Sequence, residues 1–244
     1  DDYGATWLHT VGTRLWGSHG AFDYDWEFSY QFGEADTVGA QFAPLVYGDD
    51  GATFDAIGTD LTLGYTLDLP WSPRIYVGAA YLEGEDNRDF RFGDRLLHGL
   101  RDRKSSISFN RLFADYGYGL LLDINSELSN FRQVRAGFTV KPTEKLSGGL
   151  RVAYWEFNET FATPVLPFIP FWNREHDDTL GWTTFLVGKY QYSDDLYFAV
   201  IWEHLFTGEG LEEGNFLSRN ALEFTGGTDD EDADYVHFDI HIDF

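Results

Sequence analysis

The sequence contains neither cysteine nor methionine. Without cysteine the chain can form no disulfide framework, no thiolate metal site and no cysteine nucleophile. It also lacks any stretch close to the roughly 18 consecutive apolar residues that a transmembrane helix requires. Basic residues are scarce, since 17 Lys and Arg oppose 41 Asp and Glu to give a net charge of −24. This balance argues against nucleic-acid binding over the whole surface, because phosphate contacts require clustered Lys and Arg. If the chain crosses a membrane, it does so as strands.

Aromatic residues, by contrast, are abundant. The 244 residues include 22 Phe, 14 Tyr and 8 Trp, which together make up 18% of the chain. Strands and membrane interfaces both favour such rings. The hydrophobic content of 43% excludes wholesale disorder and suffices to bury a core or to coat a barrel. No basic and apolar leader precedes Asp1, so we expect a processed chain or a piece of a longer one.

Two segments alternate between apolar and polar residues with the period of a β-strand. In 22–32, six aromatic residues occupy every second position, and the carboxylates between them are Asp23, Asp25 and Glu27. In 235–244, apolar residues at every second position alternate with His237, Asp239, His241 and Asp243. Each segment therefore has one apolar and one titratable face. A wall with lipid on one side and water on the other accommodates both, and the last segment resembles the closing strand of an outer-membrane barrel.

Turn signals divide the rest of the chain into hairpins. Strands are predicted at 55–69, 74–82, 131–140, 146–157, 181–192 and 196–206, with a mixed pattern at 3–16 and a short strand near 38–42. Long loops are predicted near 83–130, 158–179 and 207–233, with a short helix at 96–103. Tight turns alternating with long loops are expected when one barrel rim faces the periplasm and the other faces outside. The predicted fold is all-β: a transmembrane antiparallel up-and-down β-barrel of about ten strands, forming one domain over residues 1–244.

Several motifs resemble the alginate export family of outer-membrane barrels. They are Phe-Asn-Arg-Leu-Phe-Ala-Asp-Tyr-Gly-Tyr-Gly at 109–119, Val-Arg-Ala-Gly-Phe-Thr-Val-Lys-Pro-Thr-Glu-Lys-Leu at 134–146, Tyr-Gln-Tyr-Ser-Asp-Asp-Leu at 190–196 and Asp-Ala-Asp-Tyr-Val at 232–236. The resemblance is more specific over 109–244 than over 4–85, and it implies a match to the C-terminal part of larger relatives. Relatives known for alginate close with about eighteen strands, which leave an aqueous channel, whereas about ten strands leave a lumen largely filled by side chains. Strand number therefore bears directly on transport. The resemblance implies polysaccharide export across the outer membrane of a Gram-negative bacterium.

We therefore predict an outer-membrane channel or export conduit that works by passive diffusion, with no catalytic residues, no metal and no cofactor. The pore-lining candidates are Asp23, Asp25, Glu27, Asp60, Arg111, Arg132, Arg135, Arg151, Lys189, His237, Asp239 and His241. The residues that most clearly face inward are acidic. An acidic lumen favours cations or neutral solutes and repels a polyuronate, unless basic residues of the 83–130 loop fold inward. The expected partners are the outer-membrane lipid bilayer, small solutes, cations or polysaccharide, and a periplasmic or secretion-complex protein. No nucleic acid is expected.

Two other functions stay open at this stage. An outer-membrane barrel enzyme would use paired catalytic groups. The candidates are His176 with Asp177 and Asp178, and His204 with Glu203, but no spacing ties a nucleophile to a base. A non-conducting barrel or a sheath around a partner is the other alternative. Two histidines four apart on a strand, as in 237–241, lie about 13 Å apart and so cannot chelate one ion without a neighbouring strand.

Overall fold

The computed structural model of the chain describes residues 6–34, 52–84, 105–111, 118–122, 129–160, 163–166, 169–174, 177–212 and 231–242. Its strands are β1 (Trp7–His19), β2 (Phe22–Glu34), β3 (Ala52–Thr66), β4 (Arg74–Leu82), β5 (Ser105–Ile107), β6 (Phe131–Val140), β7 (Leu146–Phe157), β8 (Thr163–Leu166), β9 (Ile169–Arg174), β10 (Thr179–Ser193), β11 (Leu196–Thr207) and β12 (Ala233–Ile242). One helical turn, α1 (Glu209–Glu212), follows β11. No helix in the described ranges is long and apolar enough to cross a membrane.

Nine of these strands form one antiparallel meander. Neighbours in the sheet follow chain order, β1-β2-β3-β4-β6-β7-β10-β11-β12, and β5 joins as a tenth strand in parallel with β3. β8 and β9 form a separate hairpin within the connection between β7 and β10. Over the described residues the sheet is open, with β1 and β12 at its edges. The predicted all-β, antiparallel up-and-down arrangement of about ten strands is confirmed.

Turn chemistry sets most strand boundaries where the sequence predicts them. β4, β6 and β7 have the predicted bounds. β1 runs further than expected, to His19, because the residues around Gly17 still pair with β2, and the chain reverses only at Gly20, whose φ of 61° suits glycine. The predicted strand at 38–42 and the predicted helix at 96–103 lie outside the described residues.

The sheet has one apolar face, called the outer face below. Cross-strand pairing aligns Tyr24, Leu63 and Val77 in one row of this face. Its apolar side chains are exposed: 76% of the surface of Phe238 and 64% of that of Ile240 are accessible. So large an apolar surface is stable in lipid, where strands of a membrane barrel present such residues outward.

The opposite face, called the inner face below, carries charged residues on most strands and a buried core at one end. This end is the one from which the long connections leave the sheet. Phe131, Trp155 and Leu180 have no exposed surface there. Phe109 and Tyr118, which belong to the long connection between β4 and β6, pack against the same cluster. Described parts of that connection therefore lie on the inner face.

Candidate solute pathway on the inner face

Cross-strand pairing decides where each predicted pore-lining residue lies. Ten of the twelve share the inner face of the strands: Asp23, Asp25, Glu27, Asp60, Arg135, Arg151, Lys189, His237, Asp239 and His241. Arg111 lies off the strands but lines a cavity on the same face. Arg132 lies on the outer face, since it is three residues from Arg135 on one strand. Their part in transport remains a prediction.

Two bidentate ion pairs cross the inner face near β1 and β2. Arg14 donates hydrogen bonds to the two carboxylate oxygens of Asp25 at 2.9 and 2.7 Å. Arg74 donates in the same way to Asp23 at 2.9 and 2.6 Å. Arg74 lies on β4 and Asp23 on β2, so the guanidinium must cross β3. It passes over Gly64, which has no side chain to obstruct it.

A third pair repeats this arrangement one strand further along. Arg135 on β6 binds Asp60 on β3 at 2.9 and 2.5 Å, and also donates to Thr62 at 2.7 Å and to Gln133 at 3.1 Å. It crosses β4 at Gly78, where an added Cβ would lie 2.8 Å from its Nε. The Arg135 side chain is only 10% exposed, so this pair is better shielded from water than the first two.

The long connection between β4 and β6 closes part of the inner face into a cavity of about 590 Å³. Phe109, Arg111 and Tyr118 form one wall of it. The strands contribute charged and hydroxyl side chains, namely Thr10, Arg14, Asp25, Glu27, Ser29, Asp60, Thr62 and Arg135. A concave site that combines aromatic rings with a few polar groups is typical of a small-ligand site.

Reciprocal hydrogen bonds hold the first described segment of this connection, 105–111, in place. Gln31 donates from Nε2 to the Asn110 carbonyl at 2.6 Å and accepts from the Asn110 amide at Oε1 at 2.7 Å. Gln31 is fully buried, so its amide requires such a partner. The Phe109 amide also donates to the carbonyl of Glu83 at 3.0 Å.

A buried carboxylate holds the second segment, 118–122. Glu203 on β11 has no exposed surface, and its Oε2 accepts hydrogen bonds from the amides of Leu120 and, at 3.0 Å, of Leu121. Bonds to backbone N–H groups compensate the removal of this charge from water. Burial raises the pKa of the neighbouring Tyr118 phenol, and the Asp60 carboxylate raises it further, so the hydroxyl stays protonated at neutral pH.

Aromatic and charged groups also meet on the inner face of β10, β11 and β12. The Lys189 ammonium lies 3.5 Å from the centre of the Tyr197 ring, and the His241 ring stacks on the same tyrosine at 4.8 Å. The Tyr197 hydroxyl donates to Asp239 at 3.3 Å. These contacts place Asp239 and His241 of β12 in one network with Lys189.

Ion pairs also occur on the outer face, and those among the described residues lie at the end of the long connections. Arg132 binds Glu156 and, at 2.9 Å, Asp178. His204, a candidate for the alternative enzyme, lies 3.0 Å from Asp234 on this same face. Polar groups at the end of an otherwise apolar face are expected where a membrane strand reaches the headgroup region.

The charge of the inner face differs from the acidic bias that the sequence suggests. The described carboxylates there are Asp23, Asp25, Glu27, Asp60, Glu203 and Asp239, and the lysine and arginines there are Arg14, Arg74, Arg111, Arg135, Arg151 and Lys189. The two sets are equal in number, so the described part of this wall carries both signs in balance. Sequence reasoning missed Arg14 and Arg74, although Val11 and Leu15 share one apolar face of β1 and therefore place Arg14 on the opposite, inner face.

The sequence profile described as alginate export matches residues 1–163 of the 244. The motifs at 109–119 and 134–146 lie inside this match, and those at 190–196 and 232–236 lie beyond it. The match includes the region 4–85, where the motifs are weaker. No curated protein matches the chain. A match over about two thirds of the sequence agrees with the all-β meander and its two contrasting faces. The chain therefore belongs to the alginate export family, whose members are outer-membrane β-barrels that export polysaccharide.

Proposed function

We propose that the chain forms the wall of an outer-membrane conduit along whose inner face a polysaccharide, or smaller solutes, passes by diffusion. The observation that carries the proposal is the contrast between the two faces of one sheet. The outer face exposes Phe238 and Ile240, while the inner face holds ion pairs such as Arg135 with Asp60. Lipid on one side and water on the other stabilise both faces at once.

The aromatic residues of the outer face support a place in a bilayer. Trp202 donates from its indole N–H to Asp234 at 2.8 Å, and the Tyr30 hydroxyl donates to Asp55 at 2.9 Å. Each ring thus has an apolar body on the lipid side and a polar tip bound at the end of the strand. Rings of this kind occupy the membrane–water interface.

Selectivity would come from the inner face and from the connection that folds onto it. The segments 105–111 and 118–122 take up space beside β3, β4, β6 and β11, so they narrow any path along these strands. A wall of balanced charge presents groups of both signs to a passing solute, and such groups at a constriction decide which solutes pass.

The proposal is tested with the purified protein in planar lipid bilayers. Stepwise single-channel currents are expected, with a reversal potential that reports the ion preference. Heat-modified migration in a gel serves as the control for a folded barrel. Folded protein that inserts into vesicles but carries no current under any voltage would refute the conduit and favour the non-conducting barrel.

A further inference from the structure

We infer that a pocket on the inner face, at the end of the sheet that carries the short turns, is a saccharide subsite in which a pyranose ring stacks on Trp16. This inference rests on the proposed conduit and adds to it a residue that recognises the sugar ring itself, whatever charge the sugar carries. The pocket, called the rim pocket below, has a volume of about 630 Å³, and its lining includes Trp16, Ser18, Asp23, Asp25 and Arg74. A volume of this size falls within the range of ligand pockets and suits one or two sugar units.

The rim pocket lies where an exported chain would enter the proposed conduit. Ser18 is two residues before the turn at Gly20, and Arg74 is the first residue of β4 after the turn that joins it to β3. The short turns of outer-membrane barrels face the periplasm, and the longer connections face outside. A polysaccharide on its way out therefore meets the rim pocket before it reaches the cavity beneath the β4–β6 connection.

Trp16 occupies a position that suits neither a membrane anchor nor a core residue. Tryptophans near strand ends commonly lie at the membrane interface, but Trp16 shares the inner face with Arg14, on the side of β1 opposite to Val11 and Leu15. It is 70% exposed, so it is not packed into a core. The Arg14 guanidinium lies 5.7 Å from the centre of its ring. A large aromatic surface held on a water-facing wall is suited to the apolar C–H face of a pyranose.

Two ion pairs border the ring and supply hydrogen-bonding groups without a net charge. Arg14 binds Asp25 and Arg74 binds Asp23, each through two N–H groups. A guanidinium has five N–H donors, and a carboxylate accepts about four hydrogen bonds, so both pairs retain capacity for sugar hydroxyls. Since the charges of the pairs cancel, stacking on the ring dominates the binding. The rim pocket therefore accepts neutral sugars and uronates alike.

The test is block of single-channel current by two oligosaccharides of equal length, a β-linked glucose oligomer and an oligouronate. We expect Trp16→Ala to raise the blocking concentration of both by about tenfold, or ~1.4 kcal/mol, because the ring contact is lost. Trp16→Phe keeps an aromatic ring and should retain most of the block. Because Trp16 is exposed, both variants should fold, and heat-modified migration in a gel checks this.

Trp71→Ala is the matched control, since Trp71 is 60% exposed at the same end of the sheet but does not line the rim pocket. It should leave both blocking concentrations unchanged. Equal block of the native protein and Trp16→Ala, a change confined to the oligouronate, or an equal loss in Trp71→Ala would overturn the inference.

A calorimetric titration of the same oligomers into the folded protein in detergent measures the subsite without any current. Weaker binding of both oligomers to Trp16→Ala is expected there too, and unchanged binding would overturn the inference. The conduit and the subsite therefore fail separately: the conduit fails if the folded protein carries no current, and the subsite fails if Trp16 makes no difference to binding.

Discussion

The two ion pairs Arg135–Asp60 and Arg14–Asp25 have the same bidentate geometry but different burial, so they separate the effect of burial from that of geometry. The side chains of Arg135 and Asp60 are 10% and 26% exposed, against 56% and 44% for Arg14 and Asp25. Removing one partner of a buried pair typically costs about 3–5 kcal/mol, because a charge remains buried without a counter-ion. Asp60 is partly exposed and an amide keeps one acceptor, so we expect Asp60→Asn to lower the free energy of unfolding by about 2 kcal/mol.

Asp25→Asn should have little or no measurable effect on stability, because water screens and solvates an exposed pair. The measurement is reversible urea unfolding of the protein in lipid vesicles, followed by tryptophan fluorescence. Combining Asp60→Asn with Arg135→Gln should cost less than the sum of the single changes, since the two residues are in contact. Equal losses for Asp60→Asn and Asp25→Asn, or additivity of the double variant, would refute the argument from burial.

Three further predictions concern the glycine crossings, the inner-face connection and the outer face. Gly78→Ala should destabilise the protein and weaken the salt bridge that crosses β4. Gly188→Ala should be nearly neutral, because the atom nearest to the added Cβ at position 188 lies 3.7 Å away. Urea unfolding of both variants measures the difference in stability. Glu203→Leu removes the acceptor that binds the 118–122 segment, so we expect faster proteolysis there and a larger single-channel current, and an unchanged current would contradict this. Phe238→Arg puts a charge on the lipid side of β12 and should lower the free energy of unfolding by about 2–4 kcal/mol. Asp239→Arg puts the same charge on the inner face of β12 and should lower it far less. Refolding yields into vesicles compare these two variants, and equal yields would assign the wrong face to the lipid.

Local alternation was enough to predict the strands and most of the inner face. In 22–32 the alternation of side chains along the strand decides on which face Asp23 lies, independently of the strands that pair with it. The same rule applied to β6 excludes Arg132 from the face of Arg135, since residues three apart point to opposite sides. Arg132 and Arg135 were both predicted to line the pore because both are charged, without regard to which face of the strand each side chain occupies.

Other features depend on residues far apart in the chain and have no local signal. The contact of Arg74 with Asp23 exists because strand pairing places Gly64 between them. The docking of the β4–β6 connection depends on a glutamate in β11 and a glutamine in β2. Hydrophobic alternation within one strand carries no information about such partners, so the sequence left open whether this connection would fold inward.

The arginines that cross glycines have a consequence for the width of the proposed conduit. A guanidinium that reaches over Gly64 or Gly78 lies along the wall and does not project toward the centre. In the proposed conduit, the width of the bore therefore depends on these two glycine positions as well as on the size of the charged residues. A larger residue at either glycine would lift the arginine away from the wall and narrow the bore without changing the number or sign of the charges that line it.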